Sequence, residues 1–380
     1  MTANLTSNIW KLTNFLENTN SKFNKEEILS NLPADLIDDA IKSISTWENY
    51  SPTPLVKLNK LNDQLKFKNI YYKDEDKRFD LKSFKALGGA FAVYKIASEK
   101  KNITVSTATA GNHGRSVAWG AQRLGLKCKI FISEFVSESR AEAMRKLDAE
   151  VIRVKGNYDN SLKECIKQSK ENNWEIVQDV SWEGYKEVPK LIMAGYTIMI
   201  KEILDEVKSN SISHVFLQAG VGGMAAAMIA GFAKLSQNIP KFIIVEPENA
   251  DCVFQSIKNN KPTSVDIKKE TVMGGMSCGD VSSIAWEILK NSSNYCLTIS
   301  DEAISTTVAL LAEKRLSDEK IIAGECAVPG IIALISSFNN KEYLDKLELN
   351  EQSNVLLFGC EGLTDSAMYQ KLLSDGLQKI

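Results

Sequence analysis

Lys85 stands in Ser83-Phe-Lys-Ala-Leu-Gly-Gly, a small and apolar setting for an amine. A lysine serves as nucleophile or base when part of its population is neutral, and burial or a nearby cation favours that form. Among 46 basic residues, an exposed lysine at a helix start is the rival interpretation for any one of them. A second segment, Ala110-Gly111-Asn112-His113-Gly114, offers amides and an Asn side chain that can hold a carboxylate or a phenolic oxygen. Its plainer interpretation is an Asn112 N-cap followed by a helix-surface histidine; His113 alone is a poor catalytic candidate. The third is Gly220-Val221-Gly222-Gly223, followed by Met224. Successive amides without Cβ atoms converge on phosphate, and a following helix adds its dipole. A tight strand-to-helix turn is the alternative. The Gly-x-Gly-Gly spacing matches neither the P-loop nor the dinucleotide fingerprint. Fourth is Cys360-Glu361-Gly362, behind the apolar run 355–358.

These segments need strands and helices to aim them. From residue 100 onward apolar runs alternate with amphipathic stretches. The pattern predicts strands over 103–107, 127–132, 150–154 and 175–178, with helices over 112–124, 137–147 and 162–172 between them. Gly125 ends the first of those helices. A second series predicts strand 214–218, the glycine loop, helix 224–235, strand 242–245, and further strands around Thr298 and over 355–358. Such alternation argues for parallel sheet with crossover helices. Two α/β lobes with a cleft between them fit these lengths. The polar stretch 258–269 is expected to be an exposed loop.

The chain has 380 residues, enough for two cores. Apolar residues make up 44% and charged residues 25%, and the net charge is −2. That balance gives no reason to expect nucleic acid or an anionic membrane as a partner. The N-terminus lacks a basic patch followed by an apolar core, so it does not resemble a signal peptide. The uncharged stretch 215–233 is nearly long enough to span a bilayer. Its glycines and Gln218 favour a buried strand, loop and helix. Seven cysteines occur without a Cys-x-x-Cys, and there are two histidines, so no metal site is expected. An odd cysteine count without a secretory signal suits a reducing cytoplasm. Cys252 and Cys278 are expected as two thiols, with a disulfide between them as the alternative.

From about Thr53 to the C-terminus the sequence resembles the 2,3-diaminopropionate ammonia-lyases. These belong to the tryptophan-synthase-β-like (fold-type-II) enzymes of pyridoxal 5′-phosphate (PLP). The resemblance rests on Arg78-Phe-Asp-Leu-Lys-Ser-Phe-Lys-Ala-Leu-Gly-Gly, Gly111-Asn-His-Gly-Arg-Ser-Val-Ala-Trp and Val177-Gln-Asp-Val-Ser-Trp-Glu-Gly-Tyr. It continues through Gln218-Ala-Gly-Val-Gly-Gly-Met-Ala, Val245-Glu-Pro-Glu-Asn-Ala-Asp-Cys and Met273-Gly-Gly-Met-Ser-Cys-Gly, then Ala323-Gly-Glu and Cys360-Glu-Gly-Leu-Thr-Asp. The first 50 residues fall outside it.

The resemblance implies a two-lobe α/β enzyme, each lobe a mostly parallel sheet flanked by helices. The expected boundaries are an extension over 1–50 packed on the large lobe, a large PLP-binding lobe over 51–90 and 206–380, and a small mobile lobe over 91–205. It implies Lys85 as the Schiff-base lysine, Asn112 at the PLP ring oxygen, and Gly220, Val221, Gly222, Gly223 and Met224 around the phosphate. Cys360 would stand against the pyridine nitrogen. A thiol there leaves that nitrogen largely unprotonated, which favours elimination of a β-substituent. Asp179 matches an acid that orients the substrate's amine, and Ala110, Gly111 and His113 would line the substrate.

Two departures stand out. The family usually has an aspartate immediately before Gly-Asn-His-Gly, its candidate base for the D-isomer; here the residue is Ala110. Gly324-Glu-Cys-Ala also differs from the usual Gly-Glu-Ser-Gly. The expected activity is elimination of L-2,3-diaminopropionate, a small amino acid, to pyruvate and ammonia in a cytoplasmic homodimer. Alternatives are a serine/threonine dehydratase, a lyase of another β-substituted amino acid, and a non-catalytic PLP-binding protein.

Overall fold

The computed structural model describes residues 5–207 and 212–380. The chain divides into two units. The larger comprises residues up to Asn31, Pro52–Lys77 and Met199–Ile380, and the smaller Leu32–Ser51 and Arg78–Ile198. In chain order the first strands are β1 (Leu12–Glu17), β2 (Leu55–Lys57), β3 (Asn69–Asp74), β4 (Thr104–Ala108), β5 (Lys127–Ser133) and β6 (Ala149–Val154). They are followed by β7 (Glu175–Ile176), β8 (His214–Gln218), β9 (Lys241–Pro247), β10 (Tyr295–Ile299) and β11 (Asn354–Gly359).

The larger unit holds a seven-stranded sheet in the order β1-β10-β9-β8-β11-β3-β2. Its inner pairs are parallel, while β1 and β2 add antiparallel edges. Strands β8, β10 and β11 are buried along their whole length. Both of their faces are covered, which explains the apolar runs 215–217 in β8 and 355–358 in β11. The uncharged stretch 215–233 resolves into most of β8, a loop, and most of the helix Gly223–Leu235. Among the described residues no helix is long and apolar enough to cross a membrane. The polar stretch expected as a loop begins inside the helix Cys252–Asn259 and is irregular from Asn260 onward.

The smaller unit holds a parallel four-stranded sheet, β6-β5-β4-β7. Its strands and helices follow the predicted alternation to within a few residues at each end. Ala108, Phe131 and Cys165 form a core cluster, joined by Ile152, Leu162 and Trp174.

The division differs from the expected boundaries at three places: residues 78–90 group with the smaller unit, residues 199–205 with the larger, and the N-terminal segment is split. The helix Lys85–Glu99 groups with the smaller unit. A Cβ on Gly88 would lie 2.7 Å from Ile192 Cγ2, and one on Gly89 would lie 2.9 Å from Ser116 Cβ. Glycine therefore lets this helix lie directly against Glu187–Tyr196 and Asn112–Arg123. The N-terminal segment is also split. Strand β1 pairs with β10 in the larger unit. The helix Ala34–Ser45 belongs to the smaller one, where Asp39 pairs with Lys95 at 2.8 Å and Trp47 meets Trp119 edge-on at 5.9 Å.

Candidate active site

In the smaller unit, Lys85 begins its helix and its amine is not free. Nζ donates to Asp179 Oδ2 at 2.5 Å. The lysine is 25% exposed and the aspartate 14%, so the pair is mostly shielded from water. The rings of Phe84 and Tyr196 lie 5.4 and 5.9 Å from Nζ, a cation–π setting. Ser116 fixes the start of the helix. Its hydroxyl donates to the Lys85 carbonyl at 2.5 Å and accepts from the Ala90 amide at 3.1 Å.

His113 is buried, not on the helix surface. Its Nε2 meets the Val177 carbonyl at 2.7 Å, and since only N–H can donate there, Nε2 carries the proton. Nδ1 then points toward Asp179 Oδ2, 3.7 Å away. Burial holds the imidazole below its ordinary pKa, aided by Lys85 and opposed by Asp179. Burial also pushes the Asp179 carboxyl up, but His113 and Lys85 outweigh it and hold it well below the usual carboxylate range. Because the imidazole is neutral at pH 7, the Lys85 ammonium is the charge that faces Asp179 there.

A carboxyl with a lowered native pKa contributes stability above its unfolded value, near 4. That contribution is lost as pH falls toward the native value. Asp179→Asn should therefore lower the thermal midpoint most at pH 5–8, with the gap to the native protein closing below about pH 4. Thermal scans across pH would show it, and a constant gap would exclude a charged Asp179.

Asn112 opens the helix Asn112–Arg123, but the N-cap is Gly111, with no side-chain cap. The hydroxyl of Thr109 takes over part of that task, accepting from the Gly111 amide at 2.9 Å and the Gly114 amide at 3.2 Å. Ala110 is exposed, and its carbonyl accepts from Arg140 Nη1 at 3.3 Å.

In the larger unit, the glycine loop follows β8 and leads into the helix Gly223–Leu235, whose N-terminus has no side-chain cap. Gly222 has φ +87°, a left-handed conformation that favours glycine. A Cβ there would lie 2.8 Å from Leu289 Cδ1 and 3.2 Å from Ala285 Cβ. A side chain at 222 would thus press into neighbouring helix packing. Gly222→Ala should cost about 1–3 kcal/mol of stability, with weakened PLP binding as a consequence. Thermal melting and PLP titration would check both, and an unchanged melt would show that the loop yields freely.

Cys360 follows β11 and is buried; its thiol donates to the Cys326 carbonyl at 3.1 Å. Gln218 Nε2 donates to the same carbonyl at 2.9 Å and to Phe358 O at 2.6 Å, leaving Oε1 buried without a partner. Glu325, Cys326 and Glu361 place ligand-type atoms within 4.8 Å of one another. Glu361 Oε1 already accepts the Cys326 amide at 3.0 Å, and burial pushes the Cys326 thiol well up. Cys252 and Cys278 form no disulfide.

The residues fit PLP by their chemistry. Lys85 supplies an amine for an aldehyde, and the uncapped helix at Gly223 supplies amides for a phosphate. Cys360 supplies a thiol of the kind that leaves a pyridine nitrogen unprotonated. Ser116, Thr109, Gln178 and Gln218 escaped the sequence reading, although the strings quoted above include Ser116, Gln178 and Gln218.

Comparison with known proteins agrees. The model of the family described as pyridoxal-phosphate dependent enzyme matches residues 46–361. Diaminopropionate ammonia-lyase of Escherichia coli K12 is 34% identical over 352 residues, covering 86% of this chain and 88% of the relative. The crystal structure of the Escherichia coli enzyme in complex with D-serine superposes with a TM-score of 0.89 at 31% identity, covering 97% of this chain and 98% of that one. The same enzyme with an aminoacrylate–PLP azomethine intermediate gives 0.87 at 30% identity over the same shares. The structural likeness thus reaches into the first 50 residues, which the sequence strings left out. The chain belongs to the family of pyridoxal-phosphate dependent enzymes that includes diaminopropionate ammonia-lyase.

Proposed function

We propose that this protein converts L-2,3-diaminopropionate and water to pyruvate and two molecules of ammonia. The observation that carries this is the 2.5 Å Lys85–Asp179 pair, with buried His113 beside it. Lys85 Nζ would hold the cofactor's aldehyde carbon, and the glycine loop 220–224 its phosphate. Asn112 would meet its ring oxygen and Cys360 its ring nitrogen. When bound, PLP withdraws electrons from the amino acid's α-carbon and so acidifies its proton. Lys85 Nζ then receives that proton and becomes an ammonium, the form in which it pairs with Asp179 Oδ2. Asp179, ionised throughout the physiological range, also suits a substrate that carries a second amine. The amides of Ala110 and Asn112 at a helix start suit the substrate carboxylate, while Thr109 holds the Gly111 amide between them.

None of the seven cysteines is in a disulfide, which suits a reducing cytoplasm, and a homodimer is the expected assembly. The test is pyruvate and ammonia release from L-2,3-diaminopropionate, L-serine and L-threonine by the purified protein. Diaminopropionate should be preferred, and Asp179→Asn should lose that preference. A native protein that prefers serine or threonine would replace this reading with a dehydratase.

A further inference from the structure

We infer that Gln178 and Tyr185 are positioning residues that tie down both ends of the Asp179 loop and so hold its carboxylate at Lys85. This rests on the role proposed above for Asp179.

Gln178 directly precedes Asp179 and is 1% exposed. Its side chain uses every hydrogen-bonding position that an amide has. Oε1 accepts from Thr107 Oγ1 at 2.9 Å and from the Ala108 amide at 3.1 Å. Nε2 donates to the Ala108 carbonyl at 3.0 Å and to Tyr158 Oη at 2.7 Å. The residue is thereby clamped to the end of β4, just ahead of Thr109 and Ala110. Val177 is held as well, by its amide on Ser106 O at 2.8 Å and by its carbonyl under His113.

The other end of the loop returns to the same point. Residues 179–184 leave the sheet and turn at Gly184, where φ is +81°. Tyr185 then folds back, its ring stacked on Trp182 at 4.2 Å. Its hydroxyl accepts the Gln178 amide at 2.9 Å and donates to the Ile176 carbonyl at 2.8 Å. Asp179 is therefore the first residue of a loop closed by one phenol and clamped by one amide. An ordinary surface turn needs neither. A carboxylate that must meet Lys85 at hydrogen-bond distance does, because a displacement of 1 Å can cost about a hundred-fold in rate.

Two variants of the holoenzyme test this. Tyr185→Phe removes the hydroxyl and keeps the ring on Trp182. Gln178→Met keeps the length and removes all four side-chain bonds. In Tyr185→Phe and Gln178→Met, kcat should fall by about ten- to a hundred-fold with little change in KM. Hydrogen exchange should speed up at the amides of 178–185. The titratable groups facing Asp179 are Lys85, His113, Tyr185 and Tyr196. As the Lys85 contact loosens, the acid limb of the kcat/KM profile should move up toward ordinary carboxylate values. A purely structural role would lower the thermal midpoint and leave that limb in place, and this result overturns the inference. Native kinetics and exchange in both variants overturn it too. Asp179→Asn, run alongside, separates the two levels. Loss of activity there with native behaviour in both loop variants refutes only the positioning role. Full activity there refutes the role of Asp179 itself, and the positioning role with it.

Discussion

Lys85→Ala should give a folded protein that binds PLP without a covalent link and has lost its turnover. Borohydride should fix the cofactor to Lys85 in the native protein and to no lysine in the variant. The loss of a positioned base alone accounts for about 10²–10⁴-fold in rate, and loss of the covalent hold adds to it. The geometry makes the effect specific, because Lys85 Nζ is the group that Asp179 meets at 2.5 Å. Removing it leaves a carboxylate 14% exposed without its ammonium partner. Burial, which already pushes that carboxyl upward, then meets less opposition. The variant should therefore also melt earlier than the native protein at pH 7, a cost that circular dichroism separates from unfolding outright. A small amine such as ethylamine, supplied in the medium, should restore part of the rate if the missing function is the amine's own. Mass spectrometry that finds the reduced cofactor on a different lysine would remove Lys85 from the centre of the site.

The residues assigned to the chemistry could be named from the sequence, and those that hold them in place could not. Lys85 and the glycine loop announce themselves because close packing and amide access need small residues in unbroken strings. The parallel sheets were legible for a related reason: β8 and β11 are buried on both faces and so carry apolar runs. Ser116, by contrast, is an ordinary serine in the sequence. Its hold on the Lys85 carbonyl exists only because Gly89 lets two helices touch. Gln178 bonds to Thr107, Ala108 and Tyr158, partners 20 to 71 positions away that only the fold gathers. His113 looked like a surface residue because its helix starts at an exposed turn, yet its ring faces inward to Val177. The unit boundary was misplaced for the same kind of reason. Nothing local to 85–90 shows that Ile192 and Ser116 will be its neighbours.

The native protein should prefer L- over D-2,3-diaminopropionate by about 10²–10⁴-fold, the range that a positioned general base contributes. In the proposed role Lys85 would serve one face of the bound amino acid's α-carbon, and a D-isomer would present its proton on the other. Ala110, where the related sequences usually carry aspartate, has no titratable group to offer that face. The site does accommodate a side chain there, since Ala110 is exposed. Ala110→Asp should therefore raise pyruvate release from the D-isomer and leave the L-reaction within a few-fold. The gain has a built-in limit. Arg140 already reaches the Ala110 carbonyl at 3.3 Å, and an ion pair with the new carboxylate would weaken it as a base. Arg140→Gln combined with Ala110→Asp should then exceed the single variant on the D-isomer. Rates for both isomers with the native, single-variant and double-variant proteins would decide it. Equal native rates on the two isomers would show that one base serves both faces. No gain on the D-isomer in either variant would show that residue 110 does not face the α-carbon.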